Sequence, residues 1–167
     1  MDGSYRLEDY YSPSPPCDCE ICQGYCKRPG WWTVEQAARA MTEGISCKMM
    51  LEISPDFTFA VLSPAFKGCE GLIAINEFAN QGCTFFQNSR CKLHHTSLQP
   101  LECSVCHHST PGLGPKIHAE LEKEWNSIKG QKIVINWMKE TGFWEKLSKA
   151  PQAFRKIRSS SKYRPGQ

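Results

Sequence analysis

Cys17-Asp18-Cys19-Glu20-Ile21-Cys22-Gln23-Gly24-Tyr25-Cys26 puts four thiols into ten residues, and any fold for this chain has to accommodate that stretch. Core packing does not explain it, because Asp18, Glu20, Gln23 and the following Lys27 are polar neighbours. Spacings this short let several sulfurs converge on one ion without a costly chain closure. A second group follows at Cys83, Cys91, Cys103 and Cys106. Cys83 and Cys91 flank a hairpin expected over 83–93, and cross-strand pairing would bring their side chains together. The two remaining cysteines, Cys47 and Cys69, stand alone and read as small buried hydrophobes.

Whether ten cysteines mean disulfides or ligands depends on the compartment. The start of the chain, Met1 to Asp9, is acidic and has no apolar run, so a signal peptide is not expected. No stretch approaches a membrane span. The reading is therefore a cytoplasmic protein with reduced thiols, which favours metal ligation. Net charge is +3 over 167 residues, but Arg155, Lys156, Arg158, Lys162 and Arg164 lie in a final segment without acids. The body is thus mildly acidic and the tail basic.

The expected organisation is a flexible leader over 1–16, a cysteine-cluster domain over 17–150 and a basic flexible tail over 151–167. Thr33 and Gln36 form a capping box for a helix ending near Gly44. Cys47 to Ile53 reads as a second short helix, and Asp56 to Leu62 as a strand. Gln87-Asn88-Ser89-Arg90 reads as the hairpin turn. Gly114-Pro115 opens a helix striped by Ile117, Leu121, Trp125 and Ile128, which Gly130 closes. A further helix is expected over 131–141, with a short one behind it. The fold class is α+β: one small domain with cysteine-rich metal-binding loops and a β-hairpin, packed against several α-helices.

Cys103-Ser104-Val105-Cys106-His107 matches the covalent haem pattern C-x-x-C-H. That attachment belongs outside the cytoplasm, so the match is read as fortuitous. Among the histidines, His94, His95 and His107 lie near the second group, and a neutral imidazole can complete a zinc or iron site.

The segments "CDCEICQGYCKRPGWWT" and "GCTFFQNSRCKLHHTSLQPLEC" resemble the YkgJ-type cysteine-cluster proteins, described as zinc- or iron-chelating domains. Gly82-Cys83, Phe85, Cys91, Leu93, His94 and Pro100-Leu101-Glu102-Cys103 take the places of that family's second motif. The resemblance covers residues 17 to 106. It implies Cys19, Cys22, Cys26, Cys83, Cys91 and Cys103 as metal ligands, with Cys17, Cys106 and His94 as secondary candidates. Flagellin lysine methylases carry a similar module in a longer chain, and their association with iron–sulfur chemistry makes an iron–sulfur cluster or zinc the implied cofactor.

The leading reading is a metal-binding protein that holds either zinc or an iron–sulfur cluster through thiolates. A metal-dependent or iron–sulfur enzyme is the alternative, although no separate catalytic motif accompanies the cysteines. A zinc-ribbon-like module contacting nucleic acid through the basic tail is the third.

Overall fold

The computed structural model of the chain describes residues 6–154. Most of the basic tail, and the first five residues of the leader, lie outside that range. The architecture is α+β, as expected from the sequence. Two small antiparallel sheets and the cysteine-bearing loops pack against a layer of helices.

Residues 6–16 include a 3-10 turn at Leu7–Tyr10. Arg6 pairs with Glu35 at 3.3 Å, and the Glu8 carboxylate accepts a hydrogen bond from the Thr33 hydroxyl at 2.9 Å. The Ser14 amide donates to the Ser104 carbonyl at 2.7 Å. Helix α1 (Glu20–Lys27) then carries the first cysteine group.

Helix α2 (Val34–Thr42) begins with the expected capping box. The Gln36 amide donates to Thr33 Oγ1 at 3.0 Å, and Gln36 Oε1 accepts from the Thr33 amide at 3.1 Å. The same Gln36 oxygen accepts from the Leu101 amide at 3.0 Å. This one side chain therefore caps α2 and also pins the start of α3 (Leu101–Val105).

Met49–Ile53 is strand β1, not the helix its apolar run suggests. A short continuous apolar run has no period to separate the two, and pairing settles it. Strand β1 pairs antiparallel with β2 (Ala60–Pro64), with Leu51 opposite Leu62. The expected strand thus starts later than Asp56, because residues 54–59 form the turn. There the Ser54 hydroxyl donates to Asp56 Oδ1 at 2.7 Å, and Phe57 takes a positive φ of 59°. The second hairpin is where the sequence puts it, with β3 (Phe86–Gln87) against β4 (Arg90–Cys91). Asn88 and Ser89 both take positive φ, as a tight two-residue hairpin turn requires.

Helices α4 (Leu113–Trp125), α5 (Ile128–Thr141) and α6 (Phe143–Lys149) close the domain. Gly130 lies inside the first turn of α5 and does not end α4. A Cβ there would stand 2.5 Å from the Trp125 carbonyl oxygen, so glycine is what lets α5 start hard against the end of α4. Trp32, Trp125, Trp137, Phe143, Leu51, Leu62, Ile117 and Leu121 form the core. Each of those tryptophans finds a carbonyl: Trp32 Nε1 donates to Leu98 at 2.8 Å, Trp125 Nε1 to Trp32 at 2.8 Å and Trp137 Nε1 to Ser46 at 2.9 Å. Cys69 is buried in this core as expected, whereas Cys47 is exposed on a 3-10 turn. No helix among the described residues is long and apolar enough to cross a membrane.

Glu124 gives the fold a pH dependence. Its Oε1 accepts from the Val34 amide at 3.2 Å, but Oε2 is buried without a partner. Burial pushes the carboxyl above its ordinary value; the Val34 bond and Lys129 pull the other way, and Glu8 and Glu35 add to the rise. A raised folded-state value means the native state holds the proton more tightly than the unfolded chain. Stability from this group is therefore full below the unfolded value of about 4.3 and is lost as pH rises through the folded one. Glu124→Gln should be more stable than the native chain at pH 7, with the advantage vanishing near pH 4. Urea midpoints at the two pH values check this, and a pH-independent difference would contradict it.

Candidate metal centre

Cys17, Cys19, Cys22 and His108 each offer one ligand atom, and these four atoms all lie within 4.8 Å of one another. Nδ1 of His108 is 3.5 Å from Cys17 Sγ, 3.5 Å from Cys19 Sγ and 3.4 Å from Cys22 Sγ. Hydrogen bonding cannot account for this, because one imidazole nitrogen has a single proton or a single lone pair to share among three sulfurs. With metal–sulfur bonds of ~2.3 Å and metal–nitrogen bonds of ~2.05 Å, the sulfur–nitrogen edge of a tetrahedron is about 3.6 Å. The three sulfur–nitrogen separations lie close to that edge, and the group could hold a metal ion.

The backbone explains how these residues meet. Cys19 is the N-cap of α1, with φ −68° and ψ 157°, and Cys22 lies in that helix's first turn. Because the chain bends at Cys19, Cys17 and Cys19 are not sent to opposite faces as they would be in an extended strand. The Cys22 amide, in the open first turn, holds the Cys19 thiol down to about 7, while burial pushes Cys22 up to about 11. His108 comes from the loop behind α3. Its neighbour His107 is engaged elsewhere, with Nδ1 2.6 Å from the Ser109 hydroxyl and accepting from the Ser109 amide at 3.1 Å.

Five other cysteines stand outside this group but next to it: Cys26, Cys83, Cys91, Cys103 and Cys106 line one cavity of about 520 Å³, together with His94 and with Cys17 and Cys22 of the group itself. Cys26 is one helical turn beyond Cys22 on α1, and Cys91 lies on β4. Cys83 is placed by an antiparallel bridge to Phe66. Cys103, in α3, accepts from the Gly30 amide at 3.3 Å. A Cβ on Gly30 would stand 2.6 Å from the Cys103 sulfur, so glycine lets the chain after α1 pass that close to the thiol. Burial is the largest cause raising all five thiols, to about 11 for Cys83 and Cys106 and well above the ordinary value for Cys103. Neighbouring thiols add to the rise, as between Cys26 and Cys91 and between Cys103 and Cys83. Among the described residues, no three of these five sulfurs close to within 4.8 Å as the first group does. His94 is bonded to Gln99 through Nδ1 at 3.1 Å and packs on His95.

Of the six ligands implied by the resemblance, Cys19 and Cys22 belong to the compact group, and Cys26, Cys83, Cys91 and Cys103 line the cavity, which Cys22 also reaches. His108 is the residue that sequence reasoning passed over. Its signal is the tandem His107-His108 immediately after Cys106, which by itself does not say which ring turns inward.

The chain matches no family model, and no curated protein or solved structure is similar to it at a significant level.

Proposed function

We propose that the chain is a metal-binding protein holding zinc at Cys17, Cys19, Cys22 and His108, and an iron–sulfur cluster at the cavity thiols Cys26, Cys83, Cys91 and Cys103. The observation that carries this reading is the set of three Sγ–Nδ1 distances of 3.4–3.5 Å about His108. A tetrahedral set of three thiolates and one imidazole suits zinc, closed by protein and redox-silent. The cavity thiols are spread more widely. A cluster binds its thiolates to different irons and so tolerates wider sulfur separations than a single ion does. The resemblance to YkgJ-type proteins belongs to this proposal; it implies Cys19, Cys22, Cys26, Cys83, Cys91 and Cys103, has Cys17 as a secondary candidate and does not include His108. Loss of the buried thiol protons is the cost of loading the second site, and metal binding supplies it.

The test is metal analysis after purification without oxygen. Zinc near one per chain is expected, with brown colour and iron matched by acid-labile sulfide. Colourless protein free of iron would remove the cluster. Protein whose metal content and melting are both unmoved by a strong chelator at pH 7 would remove metal binding altogether.

A further inference from the structure

The cavity has a second wall that the thiols do not use. Glu52 enters it from β1, and Trp31, Glu102 and His118 line it as well. Both donors that reach Glu52 bond one oxygen: the Ser63 hydroxyl reaches Oε1 at 2.6 Å, and the Trp31 indole N–H reaches it at 3.2 Å. No donor among the described residues reaches Oε2, and no lysine or arginine pairs with the carboxyl. Glu102, by contrast, is fully engaged. It accepts from the Trp31 amide at 2.8 Å and from His118 Nδ1 at 3.0 Å, while the His118 ring packs on the Trp31 indole at 4.0 Å. Three side chains thus brace one another beside the Glu52 carboxyl, whose basic neighbour His118 is already bonded to Glu102.

A carboxyl in this position is costly unless it is neutralised or paired. Burial pushes Glu52 up toward its neutral form and the Glu102 charge adds to the rise, against the pull of the Ser63 and Trp31 bonds and of His118. A metal ion is not the missing partner, because Glu52, Glu102 and His118 do not converge within 4.8 Å as the thiol–imidazole group does. The permanent cation on the lining, Arg28, exerts its influence at Cys106 instead. Phe66, Phe85 and Leu93 supply apolar lining to the same space. The cavity of about 520 Å³ is shared with the thiols of the proposed cluster, so a small ligand would occupy only its Glu52 side.

We propose that Glu52, braced by Trp31 and Ser63, anchors a binding site for a small organic ammonium ion. The ammonium group bonds the open carboxylate oxygen, and its alkyl part lies against the indole and the phenylalanines. A positive head beside aromatic rings adds a favourable electrostatic term that a neutral ligand lacks. A neutral alcohol of the same shape would leave the carboxyl without its counter-charge. The site goes beyond metal binding and uses none of the proposed ligands.

The test is titration of the purified, metal-loaded chain at pH 7.5 with n-butylammonium chloride and, in parallel, n-butanol, read by calorimetry and by the indole N–H resonances. Butylammonium is expected to bind at millimolar or lower concentration and to shift the Trp31 indole resonance, whereas butanol does neither. Glu52→Gln keeps the acceptor for Ser63 and Trp31 but turns an N–H toward the ligand. It should weaken butylammonium at least ~10-fold, the range for a lost charge-assisted bond. Its metal content should be unchanged, which separates this proposal from the metal reading. Equal binding of the two probes, no binding of butylammonium, or a Trp31 resonance unmoved at saturation would each overturn it. The resonance test needs no variant and stands even if Glu52→Gln fails to fold.

Discussion

His108→Ala is expected to release the zinc proposed at Cys17, Cys19, Cys22 and His108, while His107→Ala keeps it. The two residues are adjacent and chemically identical, so the contrast isolates geometry. His108 Nδ1 stands 3.4–3.5 Å from three sulfurs, whereas His107 Nδ1 is taken by Ser109. Removing groups that merely support a metal ligand costs about 10–100-fold in affinity, and removing a ligand itself should exceed that range. Structural zinc sites contribute on the order of 10 kcal/mol in small metal-dependent folds. Even a fraction of this should show as a lower melting temperature for His108→Ala. Zinc per chain, measured after dialysis against a weak chelator, gives the answer directly. Equal retention by both variants would mean that the imidazole is not a ligand.

Trp125→Ala is the change expected to damage the fold most. Trp125 is fully buried on α4, and its indole N–H donates to the Trp32 carbonyl at 2.8 Å. Replacing a buried tryptophan by alanine costs about 3–5 kcal/mol through lost transfer energy and the cavity left behind. The Trp32 carbonyl would also lose its partner, which adds about 1–3 kcal/mol if water cannot reach it. Against a total of about 5–15 kcal/mol for a domain, that consumes most of the stability. Trp125→Phe retains the ring packing and should lose only a minor part. Urea midpoints for the two variants check the ranking. A loss below about 1 kcal/mol for alanine would mean that the core does not depend on this ring.

Features encoded within a few residues were legible in the sequence. The Thr33–Gln36 box, the turn within Gln87 to Arg90 and the stripe of Ile117, Leu121 and Trp125 each rest on short-range geometry and are found, but Ile128, read into the same stripe, is exposed at the start of α5. Met49–Ile53 was not legible, because its strand identity comes from pairing with residues 60–64. Gly130 misleads for a related reason: its use is the close approach to Trp125, which no local pattern encodes. At the candidate site, Cys19 and Cys22 were legible from their spacing. The place of Cys17 depends on the bend at Cys19, and the choice of His108 over His107 depends on Ser109. Both are settled by contacts that spacing does not contain. The division of the remaining thiols onto a cavity wall is likewise a product of the tertiary fold.

Helix α1 holds Cys22 at its start and Cys26 one turn later on the same face; both line the cavity, and Cys22 also belongs to the compact group. An eight-residue helix has little stability of its own in water. Whatever closes on Cys22 therefore also sets the angle at which Cys26 meets the cavity. On the proposed two-site reading, assembly acquires a sequence from this: the compact group, with its ligands already gathered, fills first, and the cavity thiols become receptive afterwards, so that a single short helix would make one nutrient the gatekeeper for another.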